Sequence, residues 1–459
     1  MTAPGLHAQD VLVLVTLGAP ASLLVLLGGA SLINRPFGER TEGLLARWAM
    51  TISFASCAAA LAAYAATGAP SRVVSCGSWL AAEGRGPAVD LLVDGMSLGF
   101  AALTTAVGGV VAAFSNRYLH REPGYNRYFV LFAAFVSGML LVVLAGSVEV
   151  LFAGWEILGL SSALLVAFFH ERAAPVRNAL RVFAVYRVSD AAMLTAAVLA
   201  HHFSGSGSLF LLFGPAGDAG GGVLSPEQAW VIGLLLVIAV TGKCALLPFS
   251  GWLPRAMEGP TPSSAVYYGA LSIHAGCFLL LRAAPLLERS ASLSALAAAA
   301  GVATALYATL AARVQADVKT ALALASLTQV GIIVVEIALG LRLLAMLHLV
   351  GHVCFRLLQF LSAPNLLHDF HELQNAVGAH FRPTGGHLER LLPERTRLWL
   401  YRFALERGYL DAILDRVVTA PFLRITRAAD RVDRRICRLV SLLGTSARGD
   451  RSGEDAWRG

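Results

Sequence analysis

Lysine is nearly missing from this chain. Of its 36 basic residues only two, Lys243 and Lys319, are lysines; every other one is arginine. Codon bias accounts for the scarcity, but not for where the two survivors sit. Charge as a whole is scarce too: 14% of residues are charged, against roughly 25% in an average soluble domain. With 56% hydrophobic residues and a mean hydropathy of +0.66, an ordinary soluble fold is excluded. The six cysteines (57, 76, 244, 277, 354 and 437) are scattered without a Cys-x-x-Cys pair, so neither an iron–sulfur cluster nor a zinc site is suggested. Glycine-rich nucleotide loops are missing as well. No flavin, haem or metal is therefore expected, and no nucleophile stands beside a base. An enzyme label, if one applies, belongs to a larger complex of which this chain is not the redox part. Nor does a basic segment precede the first apolar run, which reads as a membrane span and not as a cleaved signal.

Long apolar runs are what the chain has instead. Eleven stretches of about 20 residues recur, each long enough to cross a ~30 Å hydrocarbon core: 11–33, 46–66, 94–115, 127–146, 147–169, 177–202, 228–248, 261–285, 291–313, 317–337 and 340–362. A β-barrel would show short alternating segments. The expected fold is all-α and polytopic, with about eleven transmembrane helices, one of them interrupted near Pro248.

Arginine is unevenly placed. The loops and flanks after odd-numbered spans hold about twice as many Lys/Arg as those after even-numbered spans, and sixteen arginines lie beyond residue 365. The positive-inside rule puts the N-terminus outside and the tail in the cytoplasm. The expected location is the inner membrane of a bacterium. Twelve Asp/Glu reduce the tail to about +4, which gives little support to nucleic-acid binding; the expected partners are the bilayer and other subunits.

Four regions follow: 1–126 with a small external hairpin within 70–93, 127–285, 286–363, and the tail 364–459. Residues 203–227 read as a flexible outer loop. In the tail, Ala428, Val432, Ile436, Leu439, Val440 and Leu443 recur at helical spacing among charged residues. Such an amphipathic helix lies on the membrane, along a partner or on the protein's own cytoplasmic face. The last dozen residues read as disordered.

A charge inside a span costs ~2.5–3.5 kcal/mol even on a mild scale, so each one is a functional candidate. Glu149 and Glu156 are seven residues apart, on one helix face; Glu149 also fits an interfacial position, while Glu156 sits deeper, beside Trp155. A carboxylate caught between burial and a nearby cation can take or lose a proton. Arg187 and Asp190, at i,i+3, pair on one face, which serves either function or the burial of two charges. Lys243 precedes Pro248, where the helix should break, and broken helices at membrane depth line wet cavities or pack inside protein. Unlike arginine, lysine can give up its proton there. His348, His352 and Arg356 form a stripe spaced by four. Histidines titrating near about pH 6.5 suit a relay; the His pair is also half of a metal site, a weak signal without a third ligand. His274, Glu336, and Lys319 with Ser326, Thr328 and Gln329 complete the set. Carboxylate, lysine and histidine in successive spans compose a proton wire.

These residues lie in stretches that resemble a known family. Asp-Gly-Met-Ser-Leu at 94–98, Gly-Tyr-Asn-Arg-Tyr-Phe at 124–129, Gly-Trp-Glu-Ile-Leu-Gly-Leu-Ser-Ser at 154–162, the 242–265 segment around Pro248, 313–331 and 348–361 are similar to the antiporter-like subunits of respiratory complex I, subunit L above all, and of multi-subunit sodium/proton antiporters. The likeness covers most of 90–363. It implies that Glu156 and Lys243 pair, and that Lys319, His348 and His352 lie on a central hydrophilic axis. The family has a histidine shortly after Gly-Pro-Thr-Pro, where this chain has Tyr268, with His274 further on. The family's lysine four residues after the second histidine is Arg356 here, which steers a proton but does not carry one.

The family also implies two inverted five-helix repeats. Residues 127–285 supply one, and 286–363 only three spans of the other; the tail resembles the far C-terminus of subunit L. The expected function is proton conduction within a complex I-like or antiporter-like assembly. Two alternatives stand beside it: a DabB-type membrane subunit of an inorganic-carbon pump with a DabA-like partner, and a non-conducting membrane scaffold.

Overall fold

The computed structural model describes residues 8–68, 70–78, 88–213, 224–377 and 392–451, with side-chain surroundings for all of these except 78, 88, 365–377 and 439–451. Among them, eleven helices are long and apolar enough to cross a membrane, and each matches one of the expected runs. The chain is an all-α polytopic membrane protein.

In chain order the first elements are α1 (Ala8–Leu32), α2 (Glu39–Thr67), the strands β1 (Arg72–Ser78) and β2 (Ala88–Val93), α3 (Gly95–Tyr118), α4 (Tyr125–Leu144), α5 (Val148–Val166) and α6 (Ala173–Ser204). The two strands pair antiparallel with Arg72 opposite Val93 and Ser75 opposite Asp90, and the register shifts between Ser75 and Ser78. This is the hairpin expected within 70–93. Arg72 anchors it to α1 through Asp10 at 2.6 Å.

Within the loop expected to be flexible, Leu209–Phe213 forms a short helix, α7, held by a hydrogen bond from Leu209 N to Gly146 O at 2.9 Å. Residues 214–223 of that loop lie outside the described residues. α8 (Pro226–Lys243) begins on a capping box: Ser225 accepts from Gln228 N, and the Gln228 side chain accepts from Ser225 N.

The expected break near Pro248 comes five residues earlier. α8 ends at Lys243, with Cys244 as its C-cap. Ala245 takes a left-handed φ of 55°, and Leu246 N reaches back to Thr241 O at 2.9 Å. This is a Schellman closure with alanine where glycine is usual. The turn therefore stops the helix before the proline ring could clash. The chain continues through the cis Leu247–Pro248 bond, α9 (Trp252–Arg255) and a 3-10 turn at Ala256–Glu258.

The next span, Thr261–Arg282, is fully enclosed by protein. It comprises α10 (Thr261–Ser263), a π-helical segment Ser264–Ala270 and α11 (Ser272–Arg282). α12 (Ala284–Glu288), α13 (Ala291–Ala312), α14 (Val318–Ala338) and α15 (Arg342–Val377) follow. α15 runs past the expected end at 362 and through Pro364. α13 and α14 touch backbone to backbone: a Cβ on Gly301 would stand 2.6 Å from Gly331 O, and one on Gly331 equally near Gly301 O. Small residues permit such close helix contact in membranes.

Residues up to Asp411 form one compact unit, and those from Ala412 onward a second. In the first, helix Glu394–Leu405 leads to a turn whose Arg407 carbonyl accepts from Tyr307 Oη of α13 at 3.2 Å. In the second, helix Ala420–Arg451 contains the expected 428–443 segment. Its Asp430 and Arg434 pair at 2.6 Å, and Val432 and Ile436 are exposed. The helix extends to Arg451, four residues into the segment expected to be disordered; residues 452–459 lie outside the described residues.

Candidate functional site

Three helices bring four charges into one chain of contacts. α5 supplies Glu156, α6 supplies Arg187 and Asp190, and the end of α8 supplies Lys243. Arg187 Nη2 lies 2.8 Å from Glu156 Oε2 and 2.6 Å from Asp190 Oδ2. Asp190 Oδ1 lies 3.6 Å from Lys243 Nζ. The i,i+3 pairing of Arg187 with Asp190 is thus present. The direct pairing of Glu156 with Lys243 is not: Asp190 is the carboxylate at ion-pair distance, and Glu156 is linked to it through Arg187. Two carboxylates and two cations make the quartet neutral, the condition under which charges tolerate burial.

Lys243 is completely buried. Its Nζ donates to Trp155 O at 3.1 Å and lies over two aromatic rings, 4.7 Å from the centroid of Trp155 and 4.4 Å from that of Tyr186. As the last residue of α8, it also sits at the negative end of the helix dipole. Gly159 makes room for it, since a Cβ there would come within 2.8 Å of the ammonium. One carbonyl, one carboxylate and two π faces thus replace the water a lysine would otherwise require.

A second cluster lies on α11, α14 and α15. His274 Nε2 and His352 Nδ1 are 2.9 Å apart. Arg356 Nε donates to His352 Nε2 at 3.1 Å, and Arg356 Nη1 to Gln359 Oε1 at 2.6 Å. A guanidinium has no acceptor, so His352 Nε2 must be the accepting nitrogen. A neutral His352 then carries its proton on Nδ1 and donates to His274 Nε2. His348 is held by Glu336 at 2.9 Å through Nδ1 and by Gln329 at 3.1 Å through Nε2, and its ring centroid is 6.4 Å from that of His352. All four ring nitrogens of His348 and His352 are engaged with protein groups.

Ser272 lies two residues before His274 on α11. The hydroxyls of Ser272 and Tyr186 are both buried without a hydrogen-bond partner among the described residues, and the Tyr186 ring supports Lys243. Tyr268, in the π-helical segment, donates to Ser162 O at 3.2 Å and stacks edge-on against Trp252.

Two expected residues are placed elsewhere. Lys319 donates to the carbonyls of Met257 and Gly259, both at 2.8 Å, and so clamps the irregular segment after the break. Glu149 sits in the first turn of α5 and pairs with His201 at 3.1 Å, away from the quartet. One buried pair was missed: Arg282 reaches Asp94 with both terminal nitrogens and donates to Ser97 Oγ at 2.7 Å. Asp94, the N-cap just outside α3, keeps a carboxyl below its ordinary range. Burial pushes it up, but the hydrogen bonds and charge of Arg282 outweigh that. Both residues stand at ends of apolar runs, where a sequence reads them as ordinary interfacial charges.

Residues 145–379 match the family described as NADH:quinone oxidoreductase/Mrp antiporter, and residues 79–129 match the N-terminus of NADH-ubiquinone oxidoreductase (complex I) chain 5. NADH-quinone oxidoreductase subunit L of Mycobacterium tuberculosis is 31% identical over 300 residues, which is 65% of this chain and 47% of that protein. NADH-ubiquinone oxidoreductase chain 5 of Rhizopus stolonifer is 32% identical over 321 residues, 69% of this chain and 47% of the relative. The chain spans about half the length of these curated relatives. Among solved structures, the Mrp complex of Dietzia sp. DQ12-45-1b superposes with a TM-score of 0.64 at 28% identity, over 84% of this chain and 40% of that one. The archaeal membrane-bound sulfane sulfur reductase gives a TM-score of 0.66 at 18% identity, over 90% and 88%, a likeness of fold alone. The matched segment holds the whole quartet and all three clustered histidines, and the chain belongs to the NADH:quinone oxidoreductase/Mrp antiporter family.

Proposed function

We propose that this chain is a proton-conducting membrane subunit of a multi-subunit complex, lying in a bacterial inner membrane with its N-terminus outside and its tail in the cytoplasm. The observation that carries this reading is Lys243: a completely buried ammonium at an interrupted helix, held by one carboxylate whose second oxygen is bound by Arg187. When Arg187 leans toward Glu156, Asp190 is freer to hold the proton-bearing form of Lys243; when it leans toward Asp190, that hold weakens. Beyond the quartet, the His274–His352 pair continues the line of titratable groups. A neutral imidazole takes a proton on its free nitrogen and releases the one held on the other. Arg356 steers the relay and Lys319 holds the irregular segment against which it is built.

In this reading residues 127–285 act as one antiporter-like repeat and 286–363 as part of another. The arginine excess beside odd-numbered spans supports the orientation. Membership of the family and the likeness to subunits of respiratory and Mrp complexes support the partners. The inorganic-carbon pump and the inert scaffold draw no support from the relatives reported above.

The test is proton flux in proteoliposomes containing the chain with its co-purifying partners. Lys243→Ala and Glu156→Gln should each reduce flux by tenfold or more, an order-of-magnitude expectation for losing a relay group; unchanged flux in both would refute conduction.

A further inference from the structure

A cavity of about 610 Å³ opens between α2, α3 and α15, away from the charged quartet and the histidines. Its walls divide by chemistry. Arg47, Arg117, Asn116 and Tyr118 line one part, and Phe114 and Leu361 another.

The division follows the membrane level. From Trp48 to Gly68 the chain has no charged side chain, and the same is true from Gly95 to Asn116. Arg47 and Arg117 are thus the first charges beyond two uncharged stretches, at matching ends of neighbouring spans. Trp48 and Tyr118, both exposed, mark the level at which aromatic side chains favour the membrane–water boundary.

Neither guanidinium has an ion-pair partner among the described residues. Glu42, little more than one turn before Arg47, is turned inward and accepts from Asn126 Nδ2 at 2.5 Å. Asn116 accepts the Tyr125 hydroxyl on its Oδ1 at 2.6 Å, which leaves its amide hydrogens as donors. Three donor side chains without an acceptor among the described residues, set over an apolar floor, describe a receptor for an amphiphile with an anionic head.

We infer that this cavity binds the phosphate head group of an anionic phospholipid, with Arg47 and Arg117 on the phosphate and the acyl chains along Phe114 and Leu361. Guanidinium is the side chain best matched to phosphate, and basic pockets between spans are suited to anionic head groups. Free phosphate shares the head-group chemistry but makes no use of the apolar floor. The inference does not depend on proton conduction.

The test is native mass spectrometry of the purified protein titrated with phosphatidylglycerol or phosphatidylcholine. The wild type should prefer phosphatidylglycerol. Arg47→Gln and Arg117→Gln should each weaken it about fivefold and the double variant roughly thirtyfold, at ~1 kcal/mol per basic residue. Phosphatidylcholine binding should be unchanged, which also reports that the variants are folded. Arg40→Gln, an exposed arginine outside the cavity, should leave the preference intact, and Arg47→Lys with Arg117→Lys should retain most of it. Equal binding of the two lipids to the wild type, or an unchanged preference in the double glutamine variant, would overturn the inference. Inorganic phosphate in large excess should not displace phosphatidylglycerol; full displacement would assign the cavity to free phosphate and overturn the lipid.

Discussion

Arg187 holds Glu156 and Asp190 with the same nitrogen, at 2.8 and 2.6 Å. That shared nitrogen makes Arg187 the link between a half-exposed carboxylate and the one facing Lys243. Removing the link should therefore separate the two carboxylates functionally. Asp190→Asn should depress proton flux more than Glu156→Gln, because Asp190, and not Glu156, stands at ion-pair distance from Lys243. In the Arg187→Gln background, Glu156→Gln should have little further effect. Double-mutant cycles on flux check this; additive losses would show that Glu156 acts on Lys243 without Arg187.

Arg356 sets the tautomer of His352. With Arg356 Nε donating to His352 Nε2, nitrogen-15 spectra of labelled protein should show neutral His352 protonated at Nδ1. In Arg356→Leu that assignment should give way to a mixture, and proton flux should fall while the helical content stays the same. A proton on Nε2 in the wild type would contradict the assignment.

The Asp94–Arg282 pair gives a sign that can be measured. The folded carboxyl lies below its ordinary value of 3.8, so the ionised form is favoured by folding. Its stabilisation is present above about that pH and is lost as pH falls through the lower folded value. Arg282→Leu should cost ~3–5 kcal/mol, because it leaves a buried charge unpaired. It should also reverse the sign: with only the Ser97 hydrogen bonds left to oppose burial, the raised carboxyl should make the variant lose stability as pH rises above about 4. Thermal unfolding in detergent across that range checks both statements.

Lys319 and Ala245 test the broken segment. Lys319→Met removes two charged hydrogen bonds to Met257 and Gly259 and should destabilise the protein by about 2 kcal/mol. Ala245→Gly relieves a left-handed alanine and should stabilise it by ~1 kcal/mol. The two together should be close to additive by thermal unfolding, since they act at different points of the segment.

Much of this arrangement is legible in the chain because it is local. Apolar runs define the eleven spans, and i,i+3 spacing predicts the Arg187–Asp190 pair. The expense of a lone lysine singles out Lys243. What escapes is long-range. Glu156 meets Arg187 only once α5 and α6 pack, His274 meets His352 across 78 positions, and Asp94 meets Arg282 across 188. No periodicity encodes such distances. The early end of α8 escapes for another reason: an alanine in the glycine position of a Schellman turn carries no sequence mark, so the proline draws the eye instead.

Lys243→Arg is the most direct test of the central claim. It keeps a positive charge beside Asp190 but offers a group that does not release its proton. Reconstituted with its partners, a relay at Lys243 predicts that this variant loses proton flux as completely as Lys243→Ala, while still assembling. Wild-type flux in Lys243→Arg would contradict the account, because a fixed charge would then suffice.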